Sequence, residues 1–252
     1  MMKLHDLTAF FGRLFDGLAD QDYSNNGLQV EASTDIQTVA FAVDACQQTI
    51  DQAIAQHADL LFVHHGISWG GGLKRLDGYM ARRIAALYTH RLSLYAMHLP
   101  LDLHPEIGNN AVLANLLDLQ QRQPFFLYHG QPIGFHGLLP HPMTPASLAR
   151  LMDTRLNTSS RLSVDAGRPI HSLGIVSGGG DDAIFEAAEL HLDALLTGEF
   201  RHQQYHPALE LGLSVIASGH YATETTGPRA LMEHTRRETG LSCIFIDTPT
   251  GL

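Results

Sequence analysis

Two adjacent histidines, His64 and His65, close the apolar run DLLFV. Three other apolar runs end in groups that can ligate or titrate. His98 follows LSLYAM, with Asp102 four residues later; Gly198-Glu199 follow DALLT; His220 follows LSVIAS, with Glu224 four residues later. Neutral imidazole with carboxylate is a donor set for zinc, iron, manganese, cobalt or nickel. Neighbouring side chains on a strand point to opposite faces, so one ion rarely takes both members of a His-His pair. Two ions roughly 3.5–4 Å apart can take one each, bridged by carboxylates, and together they lower the pKa of a shared water. Asp102 and Glu224 are the bridging candidates. His98, one helical turn from Asp102, is the candidate proton shuttle. Glu199 is the candidate acceptor that orients a ligand histidine. Plainer readings stand beside these. In a chain with 16 histidines an adjacent pair arises by chance. Asp102 reads equally as a turn residue before Pro105. His220 reads as a strand cap, with Glu224 in the loop before a helix that has Pro228 in its first turn.

These groups must be held by strand ends, and the pattern of apolar residues shows which. Segments 38–66 and 172–200 align at a constant offset of 134, sharing Ile50/Ile184, Ala53/Ala187, His57/His191, Asp59/Asp193 and Leu61/Leu195. Each reads as a short apolar strand (39–43 and 173–176), a helical stretch, and a second apolar strand (60–63 and 194–197). That is a β-α-β unit with parallel, buried strands. The likeness extends to the His-x3-acid spacing of His98/Asp102 and His220/Glu224. The first copy has a longer connection before its last strand, and Gly70-Gly71-Gly72 in it reads as a flexible loop. The fold class is therefore α/β, with two similar lobes from an internal duplication, 1–124 and 125–252, and a soft boundary across which elements exchange. Residues 121–152 read as a linker entering a strand, then a helix after Thr144-Pro145. Ligands of open α/β sheets collect at the carboxyl ends of the strands. If the lobes face each other, the half-site His64/His65/Asp102 meets the half-site His220/Glu224 in one cleft.

Composition narrows the function classes. A hydrophobic share of 44% over 252 residues provides for a sizeable core. No apolar run approaches the roughly 18 residues of a spanning helix. The opening MMKLHDLTAFFGRLFDGLAD, broken by Arg13, Asp16 and Asp20, reads as an amphipathic helix rather than a signal peptide. Two cysteines, Cys46 and Cys243, make neither a disulfide framework nor a CxxC unit, so the expected compartment is the cytoplasm. A net charge of −10 without a Lys/Arg cluster disfavours nucleic acid as a partner. Lesser signals read as structural. Gly178-Gly179-Gly180 with Asp181-Asp182 is expected to cap a helix rather than cradle a phosphate. Asn25-Asn26-Gly27 is expected to turn. Cys46 has no partner base. Trp69, near the histidine pair, either packs, as a lone tryptophan most often does, or lines a pocket or stacks on a base.

The stretches DLLFVHHGISWG, YAMHLPLDLHPEIGNNAVLA, LLTGEF and ASGHYATETTGPRAL, with SNNGLQV near the start, resemble the dinuclear-metal-centre proteins of the Nif-three-like family, often labelled GTP cyclohydrolase 1 type 2 homologues. The resemblance covers nearly the whole chain and is closest to the short bacterial form. It implies paired α/β lobes, two divalent metal ions per chain on His64, His65, Asp102, His220 and Glu224, and a ring-shaped homohexamer. The activity it implies is metal-dependent hydrolysis of a nucleotide-like small molecule, with ring opening of GTP as the candidate. A metallo-phosphoesterase and a non-enzymatic metal-binding adaptor assembled as a ring are the alternatives.

Overall fold

Residues 39–43, VAFAV, are apolar at every position, and the strand they build, Thr38–Asp44, is buried on both faces. Continuous apolarity of this kind belongs to parallel strands covered on two sides. The computed structural model describes residues 1–18 and 21–252 and is a mixed α/β fold that divides into two compact units.

The first unit comprises residues 1–107 and 227–248. Its five-stranded sheet runs in the order Ser242–Phe245, Thr38–Asp44, Leu60–His65, Ser93–Ala96, Gly27–Val30; only the last strand is antiparallel. Register sets Phe41, Phe62 and Tyr95 side by side, and their rings stack with centroids 5.5 and 5.4 Å apart. Phe11 closes on Phe62 at 5.0 Å from the Leu4–Leu14 helix, which turns Leu4, Leu7 and Phe11 inward as its amphipathic pattern predicts. Arg13 lies in its last turn and Asp16 beyond its end; Asp20 lies outside the described residues. Ile50, Ala53, Leu61, Val63 and Leu87 fill the opposite face of the sheet. Each of the larger of these side chains contributes roughly 1.5–3 kcal/mol on leaving water.

The second unit comprises residues 108–226 and 249–252. Its six strands run Gln120–Tyr128, Gln131–Met143, Ile170–Val176, Ala194–Thr197, Ser214–Ala217, Arg161–Val164, with the Ile170–Val176/Ala194–Thr197 and Ala194–Thr197/Ser214–Ala217 pairs parallel. Both predicted β-α-β crossovers are present, and their shared residues do the same work. His57 and His191 each end a helix region at φ 54°. Asp59 accepts from the amides of Gln37 and Thr38, and Asp193 from those of His171 and Ser172. Each carboxylate ties the entry of one strand to the start of its neighbour.

Two expectations change. A boundary at 124/125 falls inside the Gln120–Tyr128 strand. The chain leaves the first unit after Ile107 and returns for 227–248, because the Ser242–Phe245 strand pairs with Thr38–Asp44 and Leu231 sits in the first unit's core. Residues 120–143 are not a linker but a long hairpin. Its two-residue turn, His129-Gly130, takes φ of 48° and 81°, the mirror-image turn that matches strand twist. The helix after Thr144 does form, over Pro145–Leu156, with the Thr144 hydroxyl accepting from the Ser147 amide. Among the described residues, no helix is long and apolar enough to cross a membrane.

Candidate metal centre

His64 and His65 are the last two residues of the Leu60–His65 strand. His64 is fully buried, and its Nδ1 donates to the Met97 carbonyl at 3.1 Å. His65 Nδ1 donates to Asp44 Oδ1 at 2.9 Å. Parallel register places Asp44 directly beside His65. His98 stands just before the short helix Leu99–Leu103, and its Nδ1 donates to Asp22 Oδ1 at 2.9 Å. An imidazole whose Nδ1–H is engaged this way presents the Nε2 lone pair outward, the arrangement that metal-ligating histidines adopt. One ring nitrogen from each of His64, His65 and His98 falls within a common 4.8 Å. The Leu99–Leu103 helix carries Asp102, buried, with Oδ2 3.5 Å from His64 Nε2. This donor set fits a divalent cation: soft-to-borderline nitrogens, a hard carboxylate, and partners behind each ring.

Asp22 anchors the trio from behind. Its carboxylate accepts from His98 Nδ1 and from the Ser24 and Leu99 amides and the Asn26 side chain, at 2.8–3.0 Å. Burial alone would raise its pKa, but the hydrogen bond and charge of His98, helped by Ser24 and Asn26, hold it at about 2. Asn26 returns its own Oδ1 to the His98 amide at 2.8 Å. The predicted Asn25-Asn26-Gly27 turn is therefore a brace for the His98 corner, and Gly27, at φ 112°, begins a strand there.

The second unit supplies a pair of its own. His220 and Glu224 lie one turn apart on the helix His220–Glu224, with Nε2 and Oε2 3.1 Å apart. Glu224 is thus helical rather than in the loop ahead of the Thr226–Thr239 helix. Glu199 Oε1 accepts from His220 Nδ1 at 2.7 Å. Burial would lower the His220 pKa, but Glu224 and Glu199 carry it up to about 9. Gly178, at φ 60°, lies so close that a Cβ there would overlap Glu224 Oε1. Its carbonyl accepts from the Gly198 and Glu199 amides, both at 2.9 Å. The glycine run therefore makes room for Glu224. Asp181 and Asp182 do not cap a helix; both are paired with Arg201.

A cation entering this pair competes with the proton on His220. Metal affinity should rise about tenfold per pH unit up to about pH 9, which competition titration against a chromogenic chelator at pH 6, 7 and 8 measures. A flat profile would place the metal elsewhere. Without metal the sign reverses: the raised pKa stabilises the fold fully below about 6.5, and this contribution is lost as pH climbs through about 9.

The profile of the Duf34/NIF3 (NGG1p interacting factor 3) family matches residues 2–251. The chain belongs to this family. A Pyrococcus abyssi NIF3 relative named GTP cyclohydrolase 1 type 2 homolog is 43% identical over 252 residues, covering 100% of both chains. The solved structure of protein ybgI, described as of unknown function, superposes with a TM-score of 0.93 at 36% identity over 100% of both chains. That of a Thermus thermophilus protein, TTHA1606, gives 0.88 at 33%, also over 100% of both. The fold of this NIF3 chain is therefore that of its solved relatives.

Sequence reasoning paired His98 with Asp102; instead His98 bonds to Asp22, and the contact of Asp102 is with His64. It also passed over Asp22 and Asp44. Asp44 had a signal, since it directly follows the apolar run of 39–43 and so sits at a strand end beside His65. Asp22 had none, being 76 residues from the histidine it holds.

Proposed function

We propose that this NIF3 chain is a metal-dependent hydrolase of nucleotide-like small molecules, with hydrolytic opening of the GTP purine at C8 as its reaction. Two divalent ions per chain are assigned to His64, His65, Asp102, His220 and Glu224. The observation that carries the reading is the set of tied imidazoles. His64, His65 and His220, the histidines assigned to metal, each have Nδ1 engaged by a carbonyl or carboxylate with Nε2 on the far side of the ring; His98 is tied the same way by Asp22. Structural histidines have no common need for that arrangement, whereas ligand histidines do. The named relatives supply the substrate class.

Bound divalent ions supply a water of lowered pKa at neutral pH. The residues of the chain do the rest. Asp44 and Glu199 hold His65 and His220 in orientation. His98, fixed by Asp22, moves a proton at Nε2 as water adds at C8 and the ring nitrogen leaves. A second hydrolysis releases C8 as formate. The assembly is proposed to be a homohexamer.

The test is formate release from GTP by metal-loaded protein, with chelated protein and a His65→Ala variant as controls. Formate at a rate at least a hundredfold above both controls is expected. Equal rates in all three defeat the proposal. Phosphate without formate identifies a phosphoesterase. Tight metal with neither product identifies a metal-binding protein that is not an enzyme.

A further inference from the structure

Beside the histidine trio stand two aromatic side chains, Trp69 and Tyr23, that the proposed reaction does not use. Trp69 meets the His98 ring edge-on at 5.0 Å and lies 6.0 Å from the His65 ring. Tyr23 flanks Trp69 at 6.5 Å with ring planes 31° apart, and it is 75% exposed. An exposed tyrosine is unremarkable on a loose loop, but the two short segments that carry Tyr23 and Trp69 are pinned to each other, ahead of the glycines that give the rest of the loop its freedom. Ser24 and Trp69 form a β-bridge; the Gly70 amide donates to the Tyr23 carbonyl at 2.7 Å and the Asn25 amide to the Ser68 carbonyl at 3.1 Å. The Gln29 side chain stitches the two segments together, accepting from the Ile67 and Ser68 amides and donating to the Asn25 and Ser68 carbonyls. Even the indole is committed, since Trp69 Nε1 donates to the Gly66 carbonyl at 2.9 Å. With its one donor used, the indole offers a ligand only its π surface.

The charge of the same loop narrows the ligand. Residues 66–76, GISWGGGLKRL, contain no acid and two exposed cations, Lys74 and Arg75, in a chain of net charge −10. A fixed aromatic wall next to a locally cationic loop matches a planar ring system that carries negative charge.

We infer that Trp69 and Tyr23 form the stacking wall for the base of a nucleotide, with Lys74 and Arg75 facing its phosphates. This rests on the nucleotide-like substrate class proposed above and names the residues that read it. Base stacking is sequence-tolerant, because every base has a π face. The wall therefore selects nucleotides over sugar phosphates without selecting strongly among bases.

Trp69 is the chain's one tryptophan, so intrinsic fluorescence reports on the wall itself. Full-length protein, metal-loaded and chelated, is titrated with guanosine, GTP, ribose 5-phosphate and tripolyphosphate. Saturable quenching by guanosine and GTP is expected, with ribose 5-phosphate and tripolyphosphate leaving the emission unchanged. Tyr23→Ala should weaken guanosine binding about fivefold to a hundredfold with unaltered circular dichroism and melting. By calorimetry, Trp69→Phe should retain most of the affinity that Trp69→Ala loses. Lys74→Ala/Arg75→Ala should weaken GTP but not guanosine. No quenching by either purine, or equal quenching by ribose 5-phosphate, overturns the inference. The hydrolase reading fails separately: quenching without formate keeps the wall and removes the reaction. Formate release by Tyr23→Ala and Trp69→Ala at the parental KM keeps the reaction and removes the wall.

Discussion

His64→Ala is expected to lower bound metal from the two ions per chain proposed above to one at most, and to destabilise the chelated protein by about 2–4 kcal/mol. The two effects share one cause. His64 is fully buried, and its Nδ1 satisfies the Met97 carbonyl while its Nε2 faces Asp102. Alanine leaves a void, strands a carbonyl and removes a ligand. Elemental analysis under saturating supply reads the first effect, and denaturant unfolding of chelated protein reads the second. Two ions retained by the variant would mean that the metal lies elsewhere. His65→Ala makes the useful comparison. It should lose metal with a smaller stability cost, because His65 is partly exposed and its partner Asp44 can turn to solvent.

Gly178→Ala should separate metal binding from folding in the second unit. Left-handed backbone costs an alanine about 1–2 kcal/mol. The larger consequence is steric. The new methyl would overlap Glu224 Oε1 and come within 3.3 Å of His220 Nε2, where the Glu224 side chain is 6% exposed. The carboxylate must turn away from His220. Metal affinity is expected to fall ten- to a hundredfold or more, and the His220 pKa to drop from about 9, since Glu224 is what raises it most. Gly179→Ala is the control. A Cβ there meets nothing within 4 Å, so metal and stability should be unchanged. Equal metal loss in both variants would show that the loop, not the carboxylate, was disturbed.

What sequence made legible follows the reach of its signals. Strand and helix periods act over a few residues, and they placed His64, His65, Glu199 and His220 at strand ends correctly. The His-x3-acid spacing was right for His220/Glu224, which a helix brings together. It misled for His98/Asp102, because His98 precedes its helix and turns toward Asp22. A local pattern carries no information about a partner 76 residues away. The hairpin over 120–143 was hidden for a different reason. Prolines such as Pro124 and Pro132 are poor strand formers, yet both sit in strands whose turn is set by two residues at positive φ.

The late return of residues 227–248 to the first unit bears on how the chain is made. The Thr38–Asp44 strand is made long before Ser242–Phe245, its neighbour in the sheet, and the core around Phe41 and Phe62 long before Leu231, which completes it. Translation proceeds at about 5–20 residues per second. The half that emerges first from the ribosome is therefore the half completed last, while residues 108–226 can close their own sheet in the interval. A stop a few codons before 242 would leave the histidine-bearing sheet with an open edge beside its most apolar strand, a substrate for chaperones and proteases rather than a shortened but folded protein.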